Sequence, residues 1–151
     1  MVVRRAQSGD AAALLPLVAE YWAFERIGGF TPSATQEQLE RLLSSPALGA
    51  AWMATEAQRP VGYLILVYVF SLEHRGLTAE IDEFFVVAAH RASGVGARLL
   101  AEAQAESIRR GCTSISLQIA TSNRRAKAFY RRHGYSERSG FELLDKELGA
   151  D

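Results

Sequence analysis

Three carboxylates, Glu80, Asp82 and Glu83, crowd a stretch whose other residues, Ile81 and Phe84-Phe85-Val86-Val87, are apolar and suited to burial. Acids in such a strand are candidates for accepting a proton or holding a cation, although any one of them alone also reads as a solvated charge. In an ideal strand Asp82 and Glu83 point to opposite faces, and Glu80 shares the face of Asp82. A bulge would turn both neighbours to one side. Just downstream, Arg91-Ala92-Ser93-Gly94-Val95-Gly96 leads into a helical pattern. The first N–H groups of a helix lack backbone partners and carry the positive end of its dipole, which suits a phosphate or diphosphate. Gly94 and Gly96 let a ligand approach the backbone, and Arg91 fixes the loop or adds charge.

Other anion and metal chemistries fit poorly. A dinucleotide fingerprint needs a third glycine where Leu99 stands, and a Walker loop needs Gly-Lys-Ser or Gly-Lys-Thr, which is absent. His74, His90 and His133 are scattered without paired spacing, so no metal site is expected. Cys112 has no evident base for a covalent route and reads as a small residue buried at the start of a strand.

The elements that must position these groups follow from pattern. The 151 residues suffice for one hydrophobic core, so residues 1–151 are expected to form one domain. Seventeen Lys plus Arg balance seventeen Asp plus Glu, leaving no net field to draw nucleic acid or an anionic membrane. The longest apolar run, Val61 to Phe70, is about half a membrane span, and Met1 to Asp10 does not resemble a signal peptide. With a single cysteine, these features predict a cytoplasmic protein.

Val2 to Ala6 reads as a strand. A helix follows on Leu14, Leu17, Val18, Tyr21, Trp22 and Glu25, stopped at Gly28-Gly29, with Pro16 a candidate kink. A second amphipathic helix opens at Thr35. Ala50 to Glu56, Val61 to Phe70 and Thr78 to Val87 form an antiparallel meander, its first two strands joined by the polar turn Ala57 to Pro60. Gly94 to Arg110 is helical and Thr113 to Ala120 a strand parallel to Thr78–Val87. A last helix spans Asn123 to His133, and Phe141 to Leu144 is a candidate edge strand. The expected fold is α/β, a mixed, mostly antiparallel sheet with helices on both faces.

Arg91-x-x-Gly94-x-Gly96 after a Phe-Val strand resembles the acetyl-CoA signature of the GCN5-related N-acetyltransferases (GNAT). Asn123, Ala126, Phe129-Tyr130 and Gly134-Tyr135 are similar to that family's downstream motif, with Asn123 and Tyr130 two turns apart on one helix face. The resemblance covers nearly the whole chain in element order. Within the family, Ile-Asp-Glu-Phe-Phe-Val, Phe-Tyr-Arg-Arg-His-Gly and the terminal Phe-Glu-Leu-Leu-Asp-Lys-Glu-Leu are most similar to diamine (spermidine/spermine) and thialysine acetyltransferases. Those enzymes tend to carry a tyrosine near the end of the first helix, where this chain has Phe24.

The resemblance implies acetyl-CoA as co-substrate, no metal, and direct transfer to a primary amine of a small polyamine- or lysine-like acceptor. It implies cofactor contacts from Phe84, Phe85, Val86, Arg91, Ala92, Ser93, Gly94, Val95, Gly96, Ala97, Asn123, Ala126 and Tyr130, and a homodimer. A protonated amine must lose its proton before attack, and the resemblance favours Asp82 as base with Glu83 beside it, Glu80 remaining open. The N–H of Val86 or Val87 would stabilise the oxyanion. Tyr130 would protonate the departing thiolate, with Phe129 as the core member of the pair. Asn123 also reads as a plain helix N-cap. Two alternatives stand beside this reading: a protein N-terminal or lysine acetyltransferase, and a non-catalytic CoA-binding regulatory module.

Overall fold

Tyr63 and Leu64 are both fully buried although adjacent in one strand, so a layer must cover each face of the sheet that holds them. The computed structural model describes residues 1–149, which group into two compact units divided after Gln118. The first unit holds a five-stranded sheet in the order β1-β2-β3-β4-β5. Its strands are β1 (Val2–Arg5), β2 (Gly49–Glu56), β3 (Arg59–Ser71), β4 (Gly76–Val86) and β5 (Ile115–Leu117). All neighbours are antiparallel except β4 and β5, which run parallel. Between β1 and β2 lie α1 (Ala11–Glu25) and α2 (Pro32–Leu43), and between β4 and β5 lies α3 (Val95–Arg109).

One core joins Leu14, Leu17 and Val18 of α1 and Leu39 of α2 to Ala51, Met53, Tyr63, Ile65 and Phe85 of the sheet. The alternate sheet residues, Trp52, Leu64 and Leu66, are as deeply buried, and so are Val95, Leu99, Leu100 and Ala103 of α3. A Cβ added at Gly62 would meet Leu99 at 3.3 Å, which sets α3 against that second face. The mixed sheet with helices on both faces is therefore as the pattern predicts.

Several boundaries differ from expectation, each for a local reason. Helix α1 ends at Glu25 rather than at the glycine pair, because Arg26 takes a left-handed conformation (φ 58°) and the Ile27 N–H returns to Trp22 O at 2.8 Å. Helix α2 starts at Pro32, three residues before Thr35, since a proline in the first turn gives up no helical hydrogen bond. The β2–β3 turn narrows to Ala57 and Gln58, both at positive φ, as the twist of a two-residue hairpin demands.

Strand β5 is only three residues long. It pairs as far as Leu117 opposite Ile81, and at the next residue β4 bulges, turning its edge away. Cys112 consequently lies in the turn before β5, half-buried, not at a strand start.

The second unit carries α4 (Arg124–Arg132). Asn123 caps it, its Oδ1 accepting the Ala126 N–H at 3.1 Å. Phe141 to Leu144 is not a strand: the segment has no regular secondary structure, and Phe141, Leu143 and Leu144 are exposed. Among the described residues no helix is long and apolar enough to cross a membrane.

Candidate active site

The register of β3 against β4 shifts by one at the carboxylates. Ile65 pairs with Glu83 and Leu66 with Ile81, so Asp82 is the extra residue of a β-bulge. A bulge sets two residues against one, and here Asp82 and Glu83 share the place opposite Ile65. The bulge is the condition under which neighbouring acids can serve one side of a sheet.

Glu83 lies on the α1 side and is held at both oxygens. Trp22 Nε1 donates to Oε2 at 2.7 Å, and the Tyr63 hydroxyl donates to Oε1 at 2.9 Å. Burial raises its pKa, the two donors oppose that rise, and the charge of Asp82 adds to it. Asp82 reaches solvent from crowded surroundings, and partial desolvation raises its pKa as well. Tyr21 completes the group, its ring edge-on to Tyr63 at 6.4 Å and tilted to Phe85 at 6.0 Å. Burial, with the charges of Glu83, Glu25 and Asp82, pushes the Tyr21 phenol up to about 12. Glu80 lies two pairs further along, opposite Val67. Tyr21, Trp22 and Tyr63 escape sequence reasoning as site residues because their helical and strand periodicity accounts for them as core.

Beyond the bulge, the ladder fixes where each N–H points. The Val87 N–H donates to Val61 O at 2.9 Å and is thereby committed to β3. In an antiparallel ladder the intervening residue turns its N–H and C=O the other way. Val86 accordingly presents its backbone to the opposite edge, past the point where β5 stops. Its carbonyl accepts Arg91 Nε at 2.9 Å. Of these two N–H groups, that of Val86 is the one turned away from β3. The Phe85 side chain, by contrast, is committed to the core.

Arg91 fixes the loop. Besides its bond to Val86 O, its guanidinium lies over the rings of Phe24 at 4.9 Å and Phe85 at 5.5 Å. Phe24 is thus a platform for the loop arginine, a role invisible in the sequence because the two residues lie far apart in the chain. The loop turns through Ala92 at φ 59° and Gly94 at φ 87°. Only the second is free of steric cost; an alanine there costs about 1–2 kcal/mol.

Helix α3 begins directly after Gly94. Arg98 N–H closes on Gly94 O at 3.1 Å, so the N–H groups of Val95, Gly96 and Ala97 precede the first helical bond and point out of the helix start. No side chain caps this end and no acid lies in the first turn. No atom lies within 4 Å of where a Gly94 Cβ would sit. The donor set, the open approach and the dipole suit a phosphate or diphosphate.

In the second unit, Tyr130 is buried, at 8% exposure, while Phe129 is half-buried, which reverses the expected core assignment of the pair. Tyr130 lies edge-on to both Phe129 and Tyr135, at 5.4 Å each. Lys127 and Arg131 of α4 both pair with Glu137, which draws that carboxyl down to about 2.

Comparison with known proteins agrees with this geometry. The model of the acetyltransferase (GNAT) family matches residues 14–135. The N-acetyltransferase YhfO of Bacillus subtilis (strain 168) is 30% identical over 141 residues, 93% of each chain. The thialysine N-epsilon-acetyltransferase of Bos taurus is 23% identical over 150 residues, covering 89% of this chain and 83% of its own. Among solved structures, the integron cassette protein HFX_CASS3, from the mobile metagenome of Cole Harbour Salt Marsh, superposes with a TM-score of 0.85. It is 30% identical, over 99% of this chain and 91% of its own. With the family model matching most of the chain and a relative 30% identical over 93% of it, the chain belongs to the GNAT family as an acetyl-CoA-dependent N-acetyltransferase.

Proposed function

We propose that this enzyme acetylates a primary amine of a small cationic acceptor, polyamine- or lysine-like. The observation that carries the reading is the bulge that sets Asp82 and Glu83 together opposite Ile65. Two neighbouring acids flanked by the half-buried Tyr21 and Trp22 provide negative charge and aromatic faces for an alkylammonium. The similarity to the thialysine enzyme points the same way at low identity.

In this reading Asp82 is the base. Glu83 has a donor on each oxygen, whereas the pKa of Asp82 is raised by burial alone. Asp82 takes a proton from the ammonium, directly or through one water, and Glu83 holds the second charge. The amine nitrogen then forms a bond to the acetyl carbon, and the thioester C–S bond breaks. The Val86 N–H stabilises the negative charge on the carbonyl oxygen. The thiolate leaves with a proton from Tyr130, whose assignment rests on its spacing from Asn123, and the second proton, shed by the nitrogen as the amide forms, restores the Tyr130 phenol through solvent.

The loop Arg91 to Ala97 holds the diphosphate of acetyl-CoA, with the Phe84–Val86 edge along the pantetheine arm and Asn123 and Ala126 contributing from α4. The chain is read as a homodimer in the cytoplasm; the assembly is checked by light scattering.

A thiol-release screen over polyamines, lysine analogues, aminoglycosides and peptides tests the acceptor. Turnover should concentrate on the diamines and lysine analogues; a preference for peptides would overturn this acceptor class. Tyr130→Phe should lower kcat by about 10²-fold without weakening acetyl-CoA binding, and an unchanged kcat removes Tyr130 as the acid.

A further inference from the structure

The loop before α3 is not held by its own conformation. Two of its residues, Ala92 and Gly94, sit at positive φ, so contacts outside these dihedrals must maintain its shape. Arg91 supplies one, to Val86 at the end of β4. His90 supplies another and reaches further: its Nε2 meets Glu56 Oε2 at 2.5 Å, on the last residue of β2. The same histidine accepts Ser93 Oγ at its carbonyl and donates its N–H to Val87 O at 2.9 Å. It therefore links strand end, loop interior and a separate hairpin. Its other ring nitrogen is buried and has no hydrogen-bond partner among the described residues, where Glu56 is the ring's polar anchor.

We propose that the Glu56–His90 pair is a clasp that positions the acetyl-CoA loop, setting affinity for the co-substrate without taking part in the transfer. The lowered pKa of Glu56, caused first by its hydrogen bond with His90, is in keeping with a formed pair. Glu56 is well placed to be an anchor: it lies directly before the tight turn at Ala57-Gln58 and pairs with Arg59 across the hairpin. Neither residue belongs to the catalytic machinery described above. If the clasp opens, the loop spends less time in the shape that presents the N–H groups of Val95, Gly96 and Ala97, and apparent affinity falls by that fraction.

The inference rests on the reading of this loop as the acetyl-CoA site, and the experiment separates the two. Calorimetric titration of CoA into the unaltered protein comes first; no binding there overturns both. Given binding, Glu56→Ala and His90→Ala should each weaken CoA by about 10-fold, as when one loop in ten is competent. The KM for acetyl-CoA should rise in step while kcat at saturation stays within about two-fold. His90→Gln, which keeps a side-chain donor, should recover part of the loss. Unchanged Kd and KM in both Glu56→Ala and His90→Ala, or a fall in kcat with KM unmoved, would overturn the clasp and leave the loop's role intact.

Discussion

Asp82 carries a conflict between stability and chemistry. Its raised pKa means that the folded protein disfavours its charge, so ionisation costs stability: the full stability is present below the unfolded pKa and is lost as pH rises through the folded one. Asp82→Asn should therefore raise Tm at pH 7 and leave it unchanged near pH 3, as thermal melts would show. The same replacement should cut kcat/KM by about 10²–10⁴-fold. In the unaltered enzyme the acidic limb of kcat/KM should lie above the ordinary aspartate range, because the base works only when ionised. A limb that survives in Asp82→Asn would pass the role to Glu83 or Glu80. These three acids were legible in the sequence as types in the wrong surroundings for burial. Their division of labour was not, because it depends on Trp22 and Tyr63, which reach Glu83 from α1 and β3.

At the scale of elements, alternation and helical period place every strand and helix of the first unit, and miss what pairing decides. The bulge is a property of β4 against β3 and leaves no mark in residues 76–86 alone; the sequence could state it only as a condition. The brevity of β5 follows from that same bulge, and Phe141–Leu144 has strand-like apolarity without an edge to join. Gly49 shows how tightly pairing is built. A Cβ there would stand 2.1 Å from Leu66 O and 3.2 Å from Leu42 Cδ1, with the backbone of a central strand unable to yield. Gly49→Ala should cost ~3 kcal/mol, at the upper end of ordinary overpacking, and lower Tm by about 6–12 °C. An unshifted melt would mean that β2 can slide away from β3.

For the whole molecule, a ligand that binds only the native state must stabilise it. Acetyl-CoA at 100 times its Kd should add about 2.7 kcal/mol, or about 5–11 °C in Tm for a chain of this size, measurable by scanning fluorimetry. Absence of a shift at saturation would contradict a diphosphate seated on α3. The contact of Arg91 with Phe24 then has a consequence for the order of events. The guanidinium that braces the loop rests on the last turn of the helix that also supplies Tyr21 and Trp22. If the loop holds coenzyme A as proposed, an acceptor that displaces Phe24 must alter that grip, and linkage makes the exchange mutual: whichever substrate arrives first changes the other's dissociation constant by the same factor.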